Sequence, residues 1–213
     1  MDRNQLSVAL GRRFARLATD VVVRRPALWR LFRAPLRRQF DRLAPRWDAM
    51  RDAAHLASFE RALEHVDPPP RRVLDLGTGT GDGAFAAARR FPDAEVIGVD
   101  IADAMVAEAR RKTPADLASR VRFELGDASS LPFEDAAFEL VALANMIPFF
   151  DELARVVAPG GFVVLSFSGG SETPIYVDSN RLRAELGRRG FAGFSEVAAG
   201  RGTAFLARKD EAR

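Results

Sequence analysis

The stretch VLDLGTGTGDG, residues 73–83, places four glycines directly after a short apolar run. Such a run is typical of a buried parallel strand, and glycine weakens both strands and helices, so the glycines predict a turn between a first strand and its helix. In that turn, backbone N–H groups approach a ligand closely where a Cβ atom would collide. The stretch therefore predicts a ligand-binding α/β fold.

Strand-like and helix-like segments alternate along the chain after residue 70. That alternation favours a parallel sheet with helices on both faces. At the end of the chain, two strand-like segments are joined by so short a link that only antiparallel pairing fits. The predicted strands are 71–77, 94–100, 121–127, 137–145, 162–167, 194–199 and 202–208; the predicted helices are 82–91, 102–112, 149–157 and 179–190; a turn is predicted at 158–161.

The beginning of the chain has a helical pattern and a strong positive charge. Residues 1–46 contain 12 arginines and 3 aspartates, a net charge of +9, while the whole chain carries +3, so the remainder sums to −6. A basic segment of this kind predicts either a solvated helical face or a surface that meets nucleic acid, anionic lipid or an acidic substrate.

Apolar residues three or four positions apart form a stripe along this segment, with arginines on the other faces. A further helix is predicted over residues 50–66, and the sequence Asp67-Pro68-Pro69-Pro70 ends it because proline lacks the helical N–H group. We therefore divide the chain into a basic helical arm, residues 1–67, and an α/β domain, residues 71–213. The stripe consists of Leu28, Phe32, Leu36, Phe40, Leu43 and Trp47, and Pro26, Pro35 and Pro45 are expected to start or break helices within it.

Several classes of protein are excluded or disfavoured by composition. The chain has no cysteine, which rules out disulfides, thiolate metal sites and cysteine nucleophiles, and its two histidines make a histidine-rich metal site unexpected. Charges interrupt every apolar run near the amino terminus, so a signal peptide is not expected, and no run approaches the ~18 apolar residues of a membrane span. We therefore expect a cytoplasmic protein without a metal.

Carboxylates follow three of the predicted strands. Reading from Gly77, Asp82 stands where dinucleotide-binding turns have glycine or alanine, and its charge would repel a pyrophosphate. Asp75, two residues before Gly77, suits an ammonium group. Asp100 ends the second strand and Asp127 follows the third, where carboxylates accept hydrogens from ribose hydroxyls and an adenine amine. The pattern predicts a nucleoside ligand that bears an ammonium group, with no cation placed for phosphate.

Four segments together resemble the class I S-adenosylmethionine-dependent methyltransferases: LDLGTGTG (74–81), GVDIADAMVAEAR (98–110), GDASSLPF (126–133) and ELARVVAPGGFVVLS (152–166). The resemblance covers roughly residues 71–208. The segment FDRLAPRWDAM (40–50) is similar to the helical part that precedes the core in the small-molecule branch, which includes quinone-biosynthesis methyltransferases. The resemblance implies a Rossmann-like seven-stranded, mostly parallel sheet with an antiparallel last strand, and S-adenosylmethionine as cofactor.

The resemblance also implies roles for individual residues. The cofactor's methionine end would face the first strand and its turn, its ribose the end of the second strand, and its adenine the residues after the second and third strands. These residues are Asp75, Gly77, Thr78, Gly79 and Gly81 for the methionine end, Asp100 for the ribose, Ile101 and Met105 near the adenine, Asp127 and Ala128 at its edge, and Asn145 on the methyl side.

No general base stands out in the sequence. His55, in the arm, and Tyr176, the only tyrosine, are the weak candidates, with Glu172 in the same loop as Tyr176. The segment NMIPFF (145–150) begins like the signature of enzymes that methylate base amino groups but departs from it at the next two positions. Methylation of oxygen or carbon is therefore favoured over nitrogen, and nucleic acid is disfavoured as a substrate.

The expected partner is a small methyl acceptor, a lipophilic one included. In the resembling branch, the helices before the core form a lid, and a basic amphipathic helix also suits the surface of an anionic membrane. Two other functions stay open. One is an interaction protein that binds the cofactor without catalysis. The other is a nicotinamide-dependent oxidoreductase, which the glycine spacing and Asp82 disfavour.

Overall fold

The computed structural model describes residues 3–211, and side chains from residue 10 onward. The helices are α1 (Arg3–Arg24), α2 (Trp29–Leu43), α3 (Ala57–Leu63), α4 (Asp82–Arg90), α5 (Asp103–Lys112), α6 (Phe150–Val156) and α7 (Ser179–Gly187). The strands are β1 (Arg72–Leu76), β2 (Glu95–Asp100), β3 (Val121–Leu125), β4 (Phe138–Ala144), β5 (Val157–Phe167), β6 (Phe191–Ala199) and β7 (Gly202–Lys209).

All seven strands form one sheet in the order β3-β2-β1-β4-β5-β7-β6. Five neighbouring strands, β3, β2, β1, β4 and β5, pair in parallel. β7 pairs antiparallel with both β5 and β6. The prediction of a Rossmann-like sheet with an antiparallel last strand is confirmed. The chain order reverses between β1 and β4, and open sheets of this kind bind ligands outside the carboxyl ends of the strands at that position.

Apolar side chains cover both faces of the sheet. One face packs against α6 and α7 and against residues of α1 and α2, while the other packs against α3, α4 and α5. Because the alternating helices cover both faces of the sheet, nearly all residues of β1 and β2 are buried.

The predicted helix 50–66 is wrong over much of its length, since only residues 57–63 form an α-helix. Residues 50–56 contain turns, and Arg51 is extended with a ψ of 146°. Phe59 and Leu63 of α3 are buried in the core beneath the sheet. The division of the chain at residues 67–70 stays a prediction. Residues 1–2 and 212–213, the outer ends of the two predicted parts, lie outside the described residues. In the packing, α3 of the arm joins the core of the α/β domain.

One other local prediction also fails. Pro35 lies inside α2 without ending it, on the exposed side of the helix, where the missing N–H costs no buried partner. Residues 158–161, predicted as a turn, lie within the bounds of β5 but are skipped in its pairing with β4, which passes from Val157 to Phe162, and Gly160 has a φ of +74°. Among the described residues, no helix combines the length and the apolarity required to cross a membrane.

Candidate active site

The glycine-rich turn follows the carboxyl end of β1, a strand in the interior of the sheet. The N–H groups of Gly77 and Thr78 donate to the carbonyl of Val99 on β2, at 2.8 and 3.1 Å, which fixes the turn against the neighbouring strand. Gly77 has a φ of +66°, and a Cβ atom there would lie 2.7 Å from the side chain of Met146. Both conformation and contact therefore require glycine at this position.

Asp75 lies beneath the turn and is 1% exposed. Its Oδ2 accepts a hydrogen bond of 2.6 Å from the hydroxyl of Thr78, and the N–H of Ala84 in the first turn of α4 also donates to it. Burial raises the pKa of Asp75 to about 7, despite these two donors, because desolvation disfavours the charged form. The Asp75 carboxyl is thus poised to change its charge near neutral pH.

Asp100 ties the turn to the end of β2. One carboxylate oxygen accepts from the N–H of Gly79 and the other from the N–H of Ala102, both at 2.9 Å. Burial raises the pKa of Asp100, and the backbone donors oppose that effect. The carboxylate is held at the carboxyl end of β2, beside the glycine-rich turn, as the sequence predicted.

Asp127 follows β3 and is bound by the arm. The indole N–H of Trp29 donates to both of its carboxylate oxygens, at 2.9 and 3.0 Å, and the backbone N–H of Ser129 donates to Oδ1 at 2.9 Å. The guanidinium of Arg33 lies 3.9 Å away. Three residues near this carboxylate, Trp29, Arg33 and Ser129, line a cavity of about 300 Å³, together with Phe149.

The structure brings the three predicted carboxylates to the ends of adjacent strands β1, β2 and β3. Ile101 is half-buried, while Met105 and Ala128 are buried, and their contact with adenine stays a prediction. Arm residues cover this region, because Ala44, Phe40 and Trp47 pack against Met105.

A charged cluster joins the end of the arm to the start of α4. The hydroxyl of Thr80 donates to Asp48 at 2.6 Å. Arg51 donates to Asp82 at 2.7 Å and also pairs with Asp48. The ammonium of Lys112 lies 2.5 Å from Asp48 and 3.0 Å from Asp82. Burial by itself would raise the pKa of Asp82, but hydrogen bonding and these cations lower it.

The cluster corrects one expectation from the sequence, that no cation is placed at this site. Arg51 and Lys112 do lie beside the turn, but Asp48 and Asp82 neutralise both of them. A pyrophosphate would therefore meet two carboxylates along with the two cations.

His55 sits at the edge of this cluster, with Nδ1 2.7 Å from the carbonyl of Asp52 and Nε2 3.4 Å from Asp82. Tyr176 packs its ring on Phe167, with centroids 5.1 Å apart. The carbonyls of Tyr176 and Glu172 accept hydrogen bonds from arginines of α1. A catalytic role for any of these side chains stays a prediction.

Asn145 has a φ of +55°, and its side-chain oxygen accepts from the N–H of Ser168 at 2.9 Å. It therefore holds the end of β4 to the loop after β5, and its neighbour Met146 is the residue that lies against Gly77.

Sequence reasoning missed Trp29, Arg51, Lys112 and Met146 as residues of the site. The one available signal was the apolar stripe, which includes Trp47, whose indole nitrogen lies 3.4 Å from the position of a Cβ on Gly79. No local pattern pairs Trp29 with a carboxylate 98 residues away.

Comparisons with known proteins agree with this geometry. Residues 73–161 match the family described as "Methyltransferase domain". The demethylmenaquinone methyltransferase of Thermus thermophilus is 43% identical over 141 residues, which cover 60% of this chain and 64% of that protein. Over residues 73–161 the chain therefore resembles the class I S-adenosylmethionine-dependent methyltransferases.

Two further proteins show how far the resemblance extends. The malonyl-[acyl-carrier protein] O-methyltransferase of Halorhodospira halophila is 38% identical over 144 residues, 63% of this chain and 48% of that protein. The structure of Haemonchus contortus phosphoethanolamine N-methyltransferase 2 with S-adenosyl-L-methionine shares the fold at a TM-score of 0.58 and 18% identity, over 74% of this chain and 52% of that chain. The chain thus spans less than two thirds of the length of these relatives.

The residues of this site are compatible with S-adenosylmethionine, the cofactor that the resemblance implies. A Cβ on Gly79 would meet Trp47 only in ordinary contact at 3.4 Å, so the φ of +54° is what favours glycine in the turn. Carboxylates lie at the ends of β1 and β2 and after β3, where the resemblance implies the ammonium, the ribose and the adenine amine of the cofactor.

Proposed function

We propose that this methyltransferase transfers the methyl group of S-adenosylmethionine to a carbon or oxygen atom of a small, lipophilic acceptor. The observation that carries the proposal is the convergence of Asp75, Asp100 and Asp127 at the ends of three adjacent strands around a glycine turn. Three acidic acceptors match an ammonium, two ribose hydroxyls and an exocyclic amine, whereas a dinucleotide requires donors for its phosphates.

The proposal gives each group a task. When bound, the cofactor supplies a methyl group already activated on a sulfonium. The Asp75 carboxyl would face its ammonium, Asp100 would accept from the ribose hydroxyls in place of a backbone N–H, and Asp127 would accept from the adenine amine. Catalysis then depends mainly on holding the acceptor in line with the methyl group and on excluding water.

Demethylmenaquinone is the acceptor that we propose first, because the relative at 43% identity is named for it. The arm supports an apolar acceptor, since its stripe faces the core: Leu36 is buried, and Phe32 and Phe40 are half-buried against the cluster beneath α1 and α2. Methylation at an oxygen of a malonyl thioester is the second candidate, from the relative at 38% identity.

The cofactor half of the proposal is tested by calorimetry with S-adenosylmethionine and with NAD. We expect micromolar binding of S-adenosylmethionine, none of NAD, and loss of binding in Asp100→Ala. Asp103→Ala is the matched control, because Asp103 lies three residues further along and is exposed. Binding of NAD instead, or no binding by a folded protein, would overturn the assignment.

The acceptor half is tested by transfer of a labelled methyl group to demethylmenaquinone and, separately, to malonyl-acyl carrier protein. Transfer to demethylmenaquinone supports carbon methylation of a lipophilic acceptor. Transfer to malonyl-acyl carrier protein supports methylation of an oxygen atom instead. Cofactor binding without transfer to any acceptor in a wider panel would favour the non-catalytic interaction protein.

A further inference from the structure

Exposed apolar side chains are concentrated on the arm. Among the described residues, four of the five large apolar side chains that face solvent lie between residues 10 and 50: Leu10, Leu17 and Leu31, which are 56%, 56% and 61% exposed, and Met50, which is 57% exposed. Leu10 and Leu17 are seven residues apart in α1 and therefore share one face of that helix. The fifth, Leu125, lies at the end of β3 and is 51% exposed.

Arginines surround these leucines. Arg13 and Arg24 lie on the same helical face as Leu10 and Leu17, and Arg38 lies seven residues after Leu31 in α2. Exposed arginines of the arm that form no ion pair or hydrogen bond with any residue in the described part of the chain are Arg13, Arg24, Arg25, Arg30, Arg37, Arg38, Arg42 and Arg46. The outer face of the arm is therefore cationic and interspersed with leucine.

The aromatic residues of the arm face the other way. Trp29 is buried, and Phe14, Phe32, Phe40 and Trp47 are half-buried in contacts with the core or with one another. Proteins that bind single-stranded nucleic acid present exposed aromatic rings for bases to stack on, and the outer face of this arm has none among its described residues. Arginine with exposed leucine instead matches a surface that has anionic headgroups above an apolar layer.

We propose that the outer face of the arm, consisting of the exposed leucines and arginines of α1 and α2, docks on the surface of an anionic phospholipid bilayer. The arginines contact the headgroups, and Leu10, Leu17 and Leu31 insert at the boundary with the acyl chains. The inner face of the same helices stays packed on the α/β core. The proposal is tested independently of methyl transfer, because the arm residues substituted in its test are not residues of the candidate active site.

The experiment is flotation of the full chain with vesicles of phosphatidylcholine alone and of phosphatidylcholine mixed equally with phosphatidylglycerol. We expect binding to the mixed vesicles only, weakened by salt. The triple variant Leu10→Ser/Leu17→Ser/Leu31→Ser should bind about tenfold more weakly or worse, because partial burial of three leucines is lost. Leu125→Ser, which removes an equally exposed leucine outside the arm, should bind as the wild type does.

A second pair of variants tests the charge. Arg13→Gln/Arg24→Gln/Arg38→Gln should lose binding, whereas Arg71→Gln/Arg89→Gln/Arg201→Gln, which removes three exposed arginines outside the arm, should retain most of it. Circular dichroism and thermal unfolding show whether each variant is folded.

Three outcomes would overturn the proposal: no flotation of folded wild type with the anionic vesicles, equal losses in the arm variants and their controls, or binding to duplex or single-stranded nucleic acid that survives the leucine substitutions while vesicle binding is absent. Loss of cofactor binding would leave these outcomes unchanged, so the failure of either proposal is visible by itself.

Discussion

The indole N–H of Trp29 occupies both carboxylate oxygens of Asp127, the residue that we propose as acceptor for the adenine amine of the cofactor. An indole N–H from the arm thus holds the place that we propose for the exocyclic amine of adenine. Trp29 is also fixed by an edge-on contact with Phe149, with ring centroids 5.3 Å apart. The arm is therefore latched to Asp127 by a hydrogen bond that, in our proposal, the adenine amine of the cofactor replaces.

Trp29→Phe removes the hydrogen bond and keeps an aromatic ring against Phe149. Because Asp127 is then free for the ligand, we expect S-adenosylmethionine to bind about five- to tenfold more tightly, the equivalent of ~1 kcal/mol for one hydrogen bond to a carboxylate. The free energy of unfolding should fall by a similar amount, since the latch is lost. Calorimetry and urea unfolding measure the two effects.

Trp29→Ala is the matched variant, because it also removes the aromatic wall of the cavity beside Asp127. We expect this variant to bind the cofactor more weakly than Trp29→Phe. If Trp29→Phe binds less tightly than the wild type, the indole is part of the binding surface and the latch interpretation is wrong.

Asp75 predicts a dependence of cofactor binding on pH. Burial raises its pKa to about 7, so the carboxyl is neutral below that pH and charged above it. A charged carboxylate attracts the ammonium of the ligand, and we expect affinity to increase as the pH rises through 7. Asp75→Asn should bind weakly and show a much flatter pH profile; a wild-type profile without a change between pH 6 and 8 would contradict the assignment.

The same pKa shift predicts how stability depends on pH. Since the folded-state pKa of Asp75 lies above its ordinary 3.8, the folded state binds the proton more tightly, and stability is lost as the pH rises from about 4 through 7, by up to ~4 kcal/mol from this group. Asp75→Asn cannot ionise. The gain in free energy of unfolding of Asp75→Asn over the wild type, measured by urea unfolding, should therefore be larger at pH 8 than at pH 5. Asp103→Asn should show no such trend.

The sequence was sufficient for the α/β core because its signals are local. The apolar runs before Asp75 and Asp100 mark buried strands, and the glycines between them mark the turn, so the placement of both carboxylates follows from strand order and sheet geometry. The arm was less predictable. Its stripe indicates that α2 is covered, but the bond from Trp29 to Asp127 spans 98 residues and depends on how the arm crosses the sheet.

The helix predicted over residues 50–66 failed for a related reason. Local propensity favours a helix there, but Arg51 is drawn into the cluster with Asp82 and Lys112, and the chain adopts turns before α3 begins. Tertiary ion pairs overrode the local preference, and no periodicity in the sequence records them.

That cluster predicts how the end of the arm is held. Asp82 accepts from Arg51 and Lys112, whose side chains are 17% and 21% exposed, and Arg51 lies 5.8 Å from the ring centroid of Trp47. Asp82→Asn leaves both cations with Asp48 alone. We expect the arm to loosen at this point, with the free energy of unfolding lowered by about 1 kcal/mol, because the pairs are partly screened by solvent.

Trp29 and Trp47 are the only two tryptophans of the chain, so fluorescence reports on this loosening. In a Trp29→Phe background, the emission of Trp47 should shift to longer wavelength and become more accessible to acrylamide in Asp82→Asn. The wild-type cluster should respond in the same direction as the pH falls below the ordinary 3.8 of an aspartate, because the pKa of Asp82 is lowered and its stabilising charge is lost only in acid. Asp103→Asn is the control, since Asp82 and Asp103 both lie in the first turn of a helix and only Asp82 has these cationic partners. Equal emission of Trp47 in the two variants would show that the cluster does not hold the arm.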